Sequence, residues 1–163
     1  MNFQNDAVDP ITLATAQESR TMIDTRTAAY GAFVLRVALG VLALSHGLTK
    51  LLVFTPAGTV GFFASMGYPA IVAWFAMTVE TVGGLALILG VYARIVAVLQ
   101  LPVLLGATLV HLPNGWMFAN PNGGYEYPLF WAFALLSLAL IGPGAYALRD
   151  VQPLDAVPSP RHA

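Results

Sequence analysis

The sequence predicts an all-α fold: an integral membrane four-helix bundle. Three observations predict it. The 163 residues are 58% hydrophobic and only 9% charged, against about 25% charged in soluble domains. Four apolar stretches, at about 30–53, 69–90, 93–112 and 126–148, each approach the ~20 residues a helix needs to cross a hydrocarbon core of roughly 30 Å. The basic residues are shared unequally between the segments that join those stretches. A soluble helical bundle would keep a charged face, and these stretches have none.

The elements follow in order. Residues 1–29 are polar and of mixed charge, and read as a cytoplasmic tail. They show no cationic segment followed by a short apolar run, so no cleavable signal peptide is expected. Residues 30–148 form the membrane domain. After the first span comes FTPAGTVGFFASMGYP, where Pro56 and Gly67 bracket a short helix at the membrane interface. Spans two and three are joined by a tight turn from Gly90 to Arg94. Spans three and four are joined by PNGWMFANPNGG, dense in turn formers, with Trp116 suited to a headgroup belt. Gly142-Pro143-Gly144 interrupts the fourth span near its end. Residues 149–163 are a second cytoplasmic tail, rich in proline.

Charge sets the expected orientation. Arg20, Arg26, Arg94, Arg149 and Arg161 fall on one side of a four-span chain, whereas the loops at 54–68 and 113–124 hold no charge. Basic residues favour the cytoplasm, so both termini should be cytoplasmic and the protein a multi-pass component of a bacterial-type inner membrane. The net charge of −1 gives no footprint for nucleic acid. With no cysteine, disulfides, thiol relays and thiolate metal sites are excluded.

The spans nevertheless hold ionisable groups, which hydrocarbon rejects unless they are partnered or functional. Rise along the helices puts His46, Lys50, His111, Tyr125, Glu126 and Tyr127 near the outer level, with Glu80 below them and Arg36 in the inner half. Arg36, Gly40, Ala43, His46, Gly47 and Lys50 share about one third of the helix circumference. Glu80 shares a face with Gly83, Gly84 and Leu87. Glycines on those faces allow close helix approach, so the polar groups should point inward, into one outer chamber.

Plainer roles stand beside that reading. Arg36 and Glu80 would form a structural ion pair between spans one and two. Lys50 would snorkel to the outer headgroups, and His111 would cap a helix end. Trp74, Trp116 and Trp131 would face lipid or its interface, and the arginines 94, 149 and 161 would serve as topology anchors. Gln100 would satisfy a carbonyl freed by a kink at Pro102.

The segments His46-Gly47-x-x-Lys50-Leu51, Glu80-x-x-Gly83-Gly84 and Gly90-Val91-Tyr92-Ala93-Arg94, with FFASMGYP at 62–69 and Gly142-Pro143-Gly144, resemble the DoxX/DoxD-like family of small membrane proteins. The resemblance spans about residues 30–150. It departs where the family places Ser-Leu-Asp, since this chain reads Ala147-Leu148-Arg149-Asp150. The resemblance implies a four-helix inner-membrane protein linked to membrane oxidoreductase systems, some relatives being subunits of a thiosulfate:quinone oxidoreductase.

Four functions compete. In the first, the chain is a quinone-reactive subunit: His46, Glu80 and Glu126 are the candidate catalytic, proton-exchanging groups, and Arg36, Lys50, His111, Tyr125 and Tyr127 the candidate quinone-binding groups. Electrons would arrive from a protein partner in a redox complex. In the second, the chain is a non-catalytic anchor or assembly partner, alone or as a homo-oligomer. The third, haem or metal ligation by His46 and His111, is disfavoured because the two imidazoles fall at different depths. The fourth, a proton or small-solute pathway, lacks the repeats that transporters show.

Overall fold

The structure is a computed structural model that describes residues 24–149. Both tails, with Arg20 and Arg161, lie outside the described residues. The elements are α1 (Thr25–Leu48), a π-helical turn (Thr49–Val53), α2 (Thr55–Ser65), α3 (Ala70–Leu89), α4 (Ala93–His111), a 3₁₀ turn (Leu112–Asn114) and α5 (Glu126–Ile141). Among the described residues the only strand-like pairing is one isolated bridge between Val91 and Arg149. Among the described residues, three helical segments are long and apolar enough to cross a membrane: Arg26–Val53, Ala70–Leu89 and Ala93–Asn114. The fourth apolar helix, α5, has 16 residues. It ends at Ile141 rather than continuing to 148, because Gly142 turns the chain at φ +94° and Pro143 offers no N–H.

Local chemistry fixes the helix ends. Asp24 caps α1, its carboxylate accepting from Arg26 N at 2.9 Å. Helix α3 closes on Gly90 at φ +71°. There Val91 N donates to Ala86 O and Gly90 N to Leu87 O, the paired bonds of a left-handed helix stop. The expected short helix between spans one and two is present as α2, with Pro56 in its first turn and Gly67 left-handed beyond its end.

Packing is dominated by two helix pairs, α1 with α3 and α4 with α5, which close on one another through α3–α4 and α1–α5 contacts. The α1–α3 seam is made of small residues. A Cβ at Gly40 would lie 2.8 Å from Gly84 O, and one at Gly84 only 2.5 Å from Leu44 N. Gly47 abuts Thr81 in the same way. The two backbones therefore run nearly in contact, as glycine stripes permit. Gly83, one residue away from the seam, faces Gln100 and Val96 of α4 instead. Leu87, Ala97, Leu104, Trp131, Leu135 and Leu138 lie in the shared core.

Candidate functional site

The seam fixes which polar groups can meet. Because Gly40 lies against Gly84 and Ile88, Arg36, one turn earlier, reaches the last turn of α3, about 12 Å along the axis from Glu80. The expected Arg36–Glu80 pair is therefore absent. Arg36 is fully buried and spends its guanidinium on main-chain oxygens. Nε donates to Pro143 O at 2.7 Å, Nη1 to Leu87 O at 2.8 Å and Ile88 O at 2.9 Å, and Nη2 to Ala145 O at 3.0 Å. Its charged plane also lies 5.3 Å from the Phe33 ring centroid. One side chain thus caps α3 and ties the Gly-Pro-Gly segment to α1. Arg94 caps α5 in parallel fashion, donating to Ala139 O and Leu140 O. It does more than anchor topology.

Glu80 pairs with Lys50, whose Nζ lies 2.6 Å from Oε2 and 2.9 Å from Oε1. The two side chains are 5% and 20% exposed, so Lys50 turns inward instead of snorkelling free. Lys50 lies in the π-helical turn, one helical turn beyond Gly47, which abuts Glu80 and Thr81, and its carbonyl accepts from Thr59 Oγ1 of α2 at 3.0 Å. Such turns recur at functional sites. Thr55 follows with φ +63°, an uncommon conformation for a β-branched residue, and its Oγ1 accepts from Gly58 N at 3.2 Å. Glu80→Gln leaves the ammonium without its counter-charge. We expect a loss of about 3 kcal/mol, the low end for stranding one member of a buried pair, read as a lower midpoint of thermal unfolding in detergent. Adding Lys50→Met should recover part of it.

Lys50 lines an apolar groove of about 330 Å³ between α2, α3 and α4, whose wall includes Phe62, Phe63, Phe75, Val103 and His111. A second hollow of about 380 Å³ shares Lys50, Phe62 and Phe63 and extends toward Phe54. The lysine therefore stands between two apolar recesses. His111 Nδ1 lies 3.1 Å from Gly123 O. A carbonyl only accepts, so Nδ1 carries the hydrogen and Nε2 remains an acceptor. His111 also sits in the last turn of α4, consistent with an end-of-helix role.

The other candidates lie elsewhere. His46 Nδ1 donates to Leu42 O at 2.9 Å, and its ring packs edge-on against Trp131 at 5.0 Å and stacks near Tyr127 at 6.3 Å. Trp131 is thus a core residue, 3% exposed, not a lipid-facing one. Its spacing with Leu135 and Leu138 was the available sequence signal. Tyr125 packs against Trp116. Glu126 and Tyr127 border a separate shallow hollow of about 450 Å³ with Phe118 and Phe130. Among the described residues the Glu126 carboxylate makes no hydrogen bond or ion pair with His46, Lys50, Glu80 or His111. The single outer chamber is therefore divided: Lys50, Glu80 and His111 in and beside the groove, His46 half-buried against Trp131, Glu126 on another side. Gln100 does not serve the carbonyls around Pro102; its Nε2 reaches across to Val79 O of α3 at 3.4 Å. No group of three or more metal-ligating side chains comes together among the described residues, and the rings of His46 and His111 make no contact with each other.

Apolar helices long enough to span a bilayer, packed through glycine seams around a buried ion pair, define an all-helical multi-pass membrane protein. The DoxX family model matches residues 31–112. The chain belongs to the DoxX family. It is similar to the Bacillus subtilis (strain 168) protein named "Putative oxidoreductase CatD", at 34% identity over 119 residues, 72% of this chain and 84% of that one. It is also similar to the "Inner membrane protein YphA" of Escherichia coli (strain K12), at 30% identity over 122 residues, 71% of this chain and 85% of the other. No solved structure matches it.

Proposed function

We propose that this chain is an inner-membrane, four-span subunit of an oxidoreductase system, with both termini in the cytoplasm, and that the groove between α2, α3 and α4 receives a quinone-type molecule. One observation carries the reading: an apolar, aromatic-walled groove of about 330 Å³ has Lys50 and His111 among its few polar residues. That is the lining expected of a site that shields an apolar ring and meets its oxygens at defined points. The names of the relatives, a putative oxidoreductase and an inner membrane protein, support the setting. The charge-free loops and basic turn support the orientation.

The residues fit such a ligand. Two N–H bonds of Lys50 serve Glu80, and the third is available to a carbonyl oxygen in the groove. Glu80 holds the ammonium in place. Neutral His111 offers Nε2 to accept a hydroxyl proton, and its imidazolium can return one. Phe62, Phe63 and Phe75 exclude water from the ring's slot. A bound quinone supplies reversible two-electron, two-proton chemistry. With no cysteine in the chain, electrons reach the groove through a partner protein. His46 and Glu126 stand apart from this groove and carry no step in the reading.

A second reading, a non-catalytic anchor for a redox partner, is favoured by the mutual satisfaction of Lys50 and Glu80, which needs no ligand. A photoreactive short-chain quinone separates the two. In purified protein it should cross-link to peptides containing Phe62–Phe63 or Val103–Val110. In Lys50→Met/Glu80→Met, which removes both charges together, its affinity should fall about tenfold, the worth of ~1.4 kcal/mol. Cross-links scattered over the lipid-facing helices, or an unchanged affinity, leave the anchor reading in its place.

A further inference from the structure

Two apolar recesses meet at Lys50. The groove between α2, α3 and α4 and the second hollow, of about 380 Å³, share Lys50, Phe62 and Phe63 in their walls. The second hollow is otherwise bounded by Phe54, Gly58 and Thr59, so its whole wall comes from the stretch 50–63. Positions 58, 59, 62 and 63 recur at one-turn spacing, which puts them on one side of α2.

The chemistry of this hollow suits hydrocarbon. Thr59 Oγ1 donates to Lys50 O at 3.0 Å, and Lys50 Nζ holds both oxygens of Glu80. Gly58 N donates to Thr55 Oγ1 at 3.2 Å. What remains is the rings of Phe54, Phe62 and Phe63 around the bare Gly58. A Cβ there would meet only Thr55 Oγ1, at 3.5 Å. Leu52, Val53, Phe54 and Phe62 are exposed, so the surface beside the hollow is apolar as well, as a chain arriving from lipid requires.

In a prenylated quinone the tail grows from the ring carbon next to a carbonyl. An oxygen held at Lys50 Nζ therefore starts the tail beside the cation that both recesses share. We propose that the second hollow takes the isoprenoid tail of a quinone whose ring occupies the groove. The assignment rests on the quinone reading of the groove and narrows it. The ligand is a polyprenyl quinone of the bilayer, not a tail-less, water-soluble one. Lys50 marks the junction of ring and tail, Phe62 and Phe63 flank it, and Gly58 leaves the room that the chain needs. Gly58 is thus the position that sets tail specificity.

The test uses the purified full chain and competition against the photoreactive short-chain quinone. Two competitors share one benzoquinone ring and carry either a methyl or a farnesyl tail. In Gly58→Leu the new side chain fills the hollow. The farnesyl competitor should then weaken about tenfold, the scale on which a hydrophobic pocket registers lost methylenes, and the methyl competitor should be unchanged. Gly61→Leu, on the same helix with nothing within 4 Å of its Cβ, should alter neither. Gly106→Leu, in the wall of the groove and equally open at its Cβ, should weaken both. Each competitor partitions into micelles alike for every variant, so the comparison reads the site alone. An equal response of the two competitors to Gly58→Leu, or none, overturns the tail assignment and leaves the ring's groove standing. Failure of the methyl competitor on the parent protein overturns the quinone reading and the tail assignment with it. If Gly58→Leu does not fold, a farnesyl quinone with a diazirine at its tail end decides in the unsubstituted protein. Labels on residues 54–59 are expected, and their absence from that stretch overturns the proposal.

Discussion

Arg36→Met will loosen one whole end of the bundle. The side chain is fully buried and donates to four carbonyl oxygens, two in the last turn of α3 and two in the segment 143–145. Methionine fills a similar volume but donates nothing. Buried acceptors left without donors cost about 1–3 kcal/mol each. Gly90 N still serves Leu87 O, so the summed loss should be about 3–5 kcal/mol rather than four full penalties. Arg36→Lys should fall between, since an ammonium keeps the charge without the planar fork. The effect should also be local. Ala145 N, Leu148 N and Arg149 N donate to Ala29 O, Leu89 O and Gly90 O, and their hydrogen exchange should accelerate well beyond that of α4. A variant with unchanged unfolding midpoint and unchanged exchange at these amides would show that the guanidinium does not hold this end together.

The second large effect is expected at the α1–α3 seam. In Gly84→Val the new Cβ starts 2.5 Å from Leu44 N and 2.9 Å from Gly40 O. Both are backbone atoms that cannot rotate away. Overpacking usually costs about 1–3 kcal/mol, and here relief requires the two helices to separate, so the cost should lie at or above the top of that range. Separation would also draw Lys50 away from Glu80 and move His46 against Trp131. The variant should therefore lose stability and, on the proposed reading, quinone cross-linking together. Gly31→Ala is the control: nothing lies within 4 Å of its Cβ, and the exchange should be neutral or stabilising by about 0.5–1 kcal/mol. Equal behaviour of the two variants would remove the seam as the element that sets the register.

Most helix ends were legible because their causes are local, although the fourth apolar helix, α5, stops at Ile141 instead of running on to 148. Pro56, Gly67, Gly90 and the Gly142-Pro143 break each act through their own backbone geometry. Inward burial was legible as well, since Arg36, Gly40, Ala43 and Gly47 on the first span, and Glu80, Gly83, Gly84 and Leu87 on the second, repeat at helical spacing. Partner choice was not. Depth arithmetic assumes uniform α-helix, and the π-helical turn at Thr49–Val53 changes both rise and direction where Lys50 must be placed. Trp131 was misread because an indole suits an interface as readily as a core. Gln100 was misread because Pro102 offered it a nearer task.

By itself, then, the sequence determined a membrane-spanning helical protein with glycine faces and costly interior charges. Those properties follow from composition and periodicity, which each residue carries alone. Only the tertiary structure decided that Arg36 binds carbonyls, that Lys50 holds Glu80, and that Glu126 stands apart. The first two outcomes depend on the axial register between α1 and α3, which glycine contacts set to within about one helical turn, ~5.4 Å. A shift of one turn would exchange the partners of every charge along the seam.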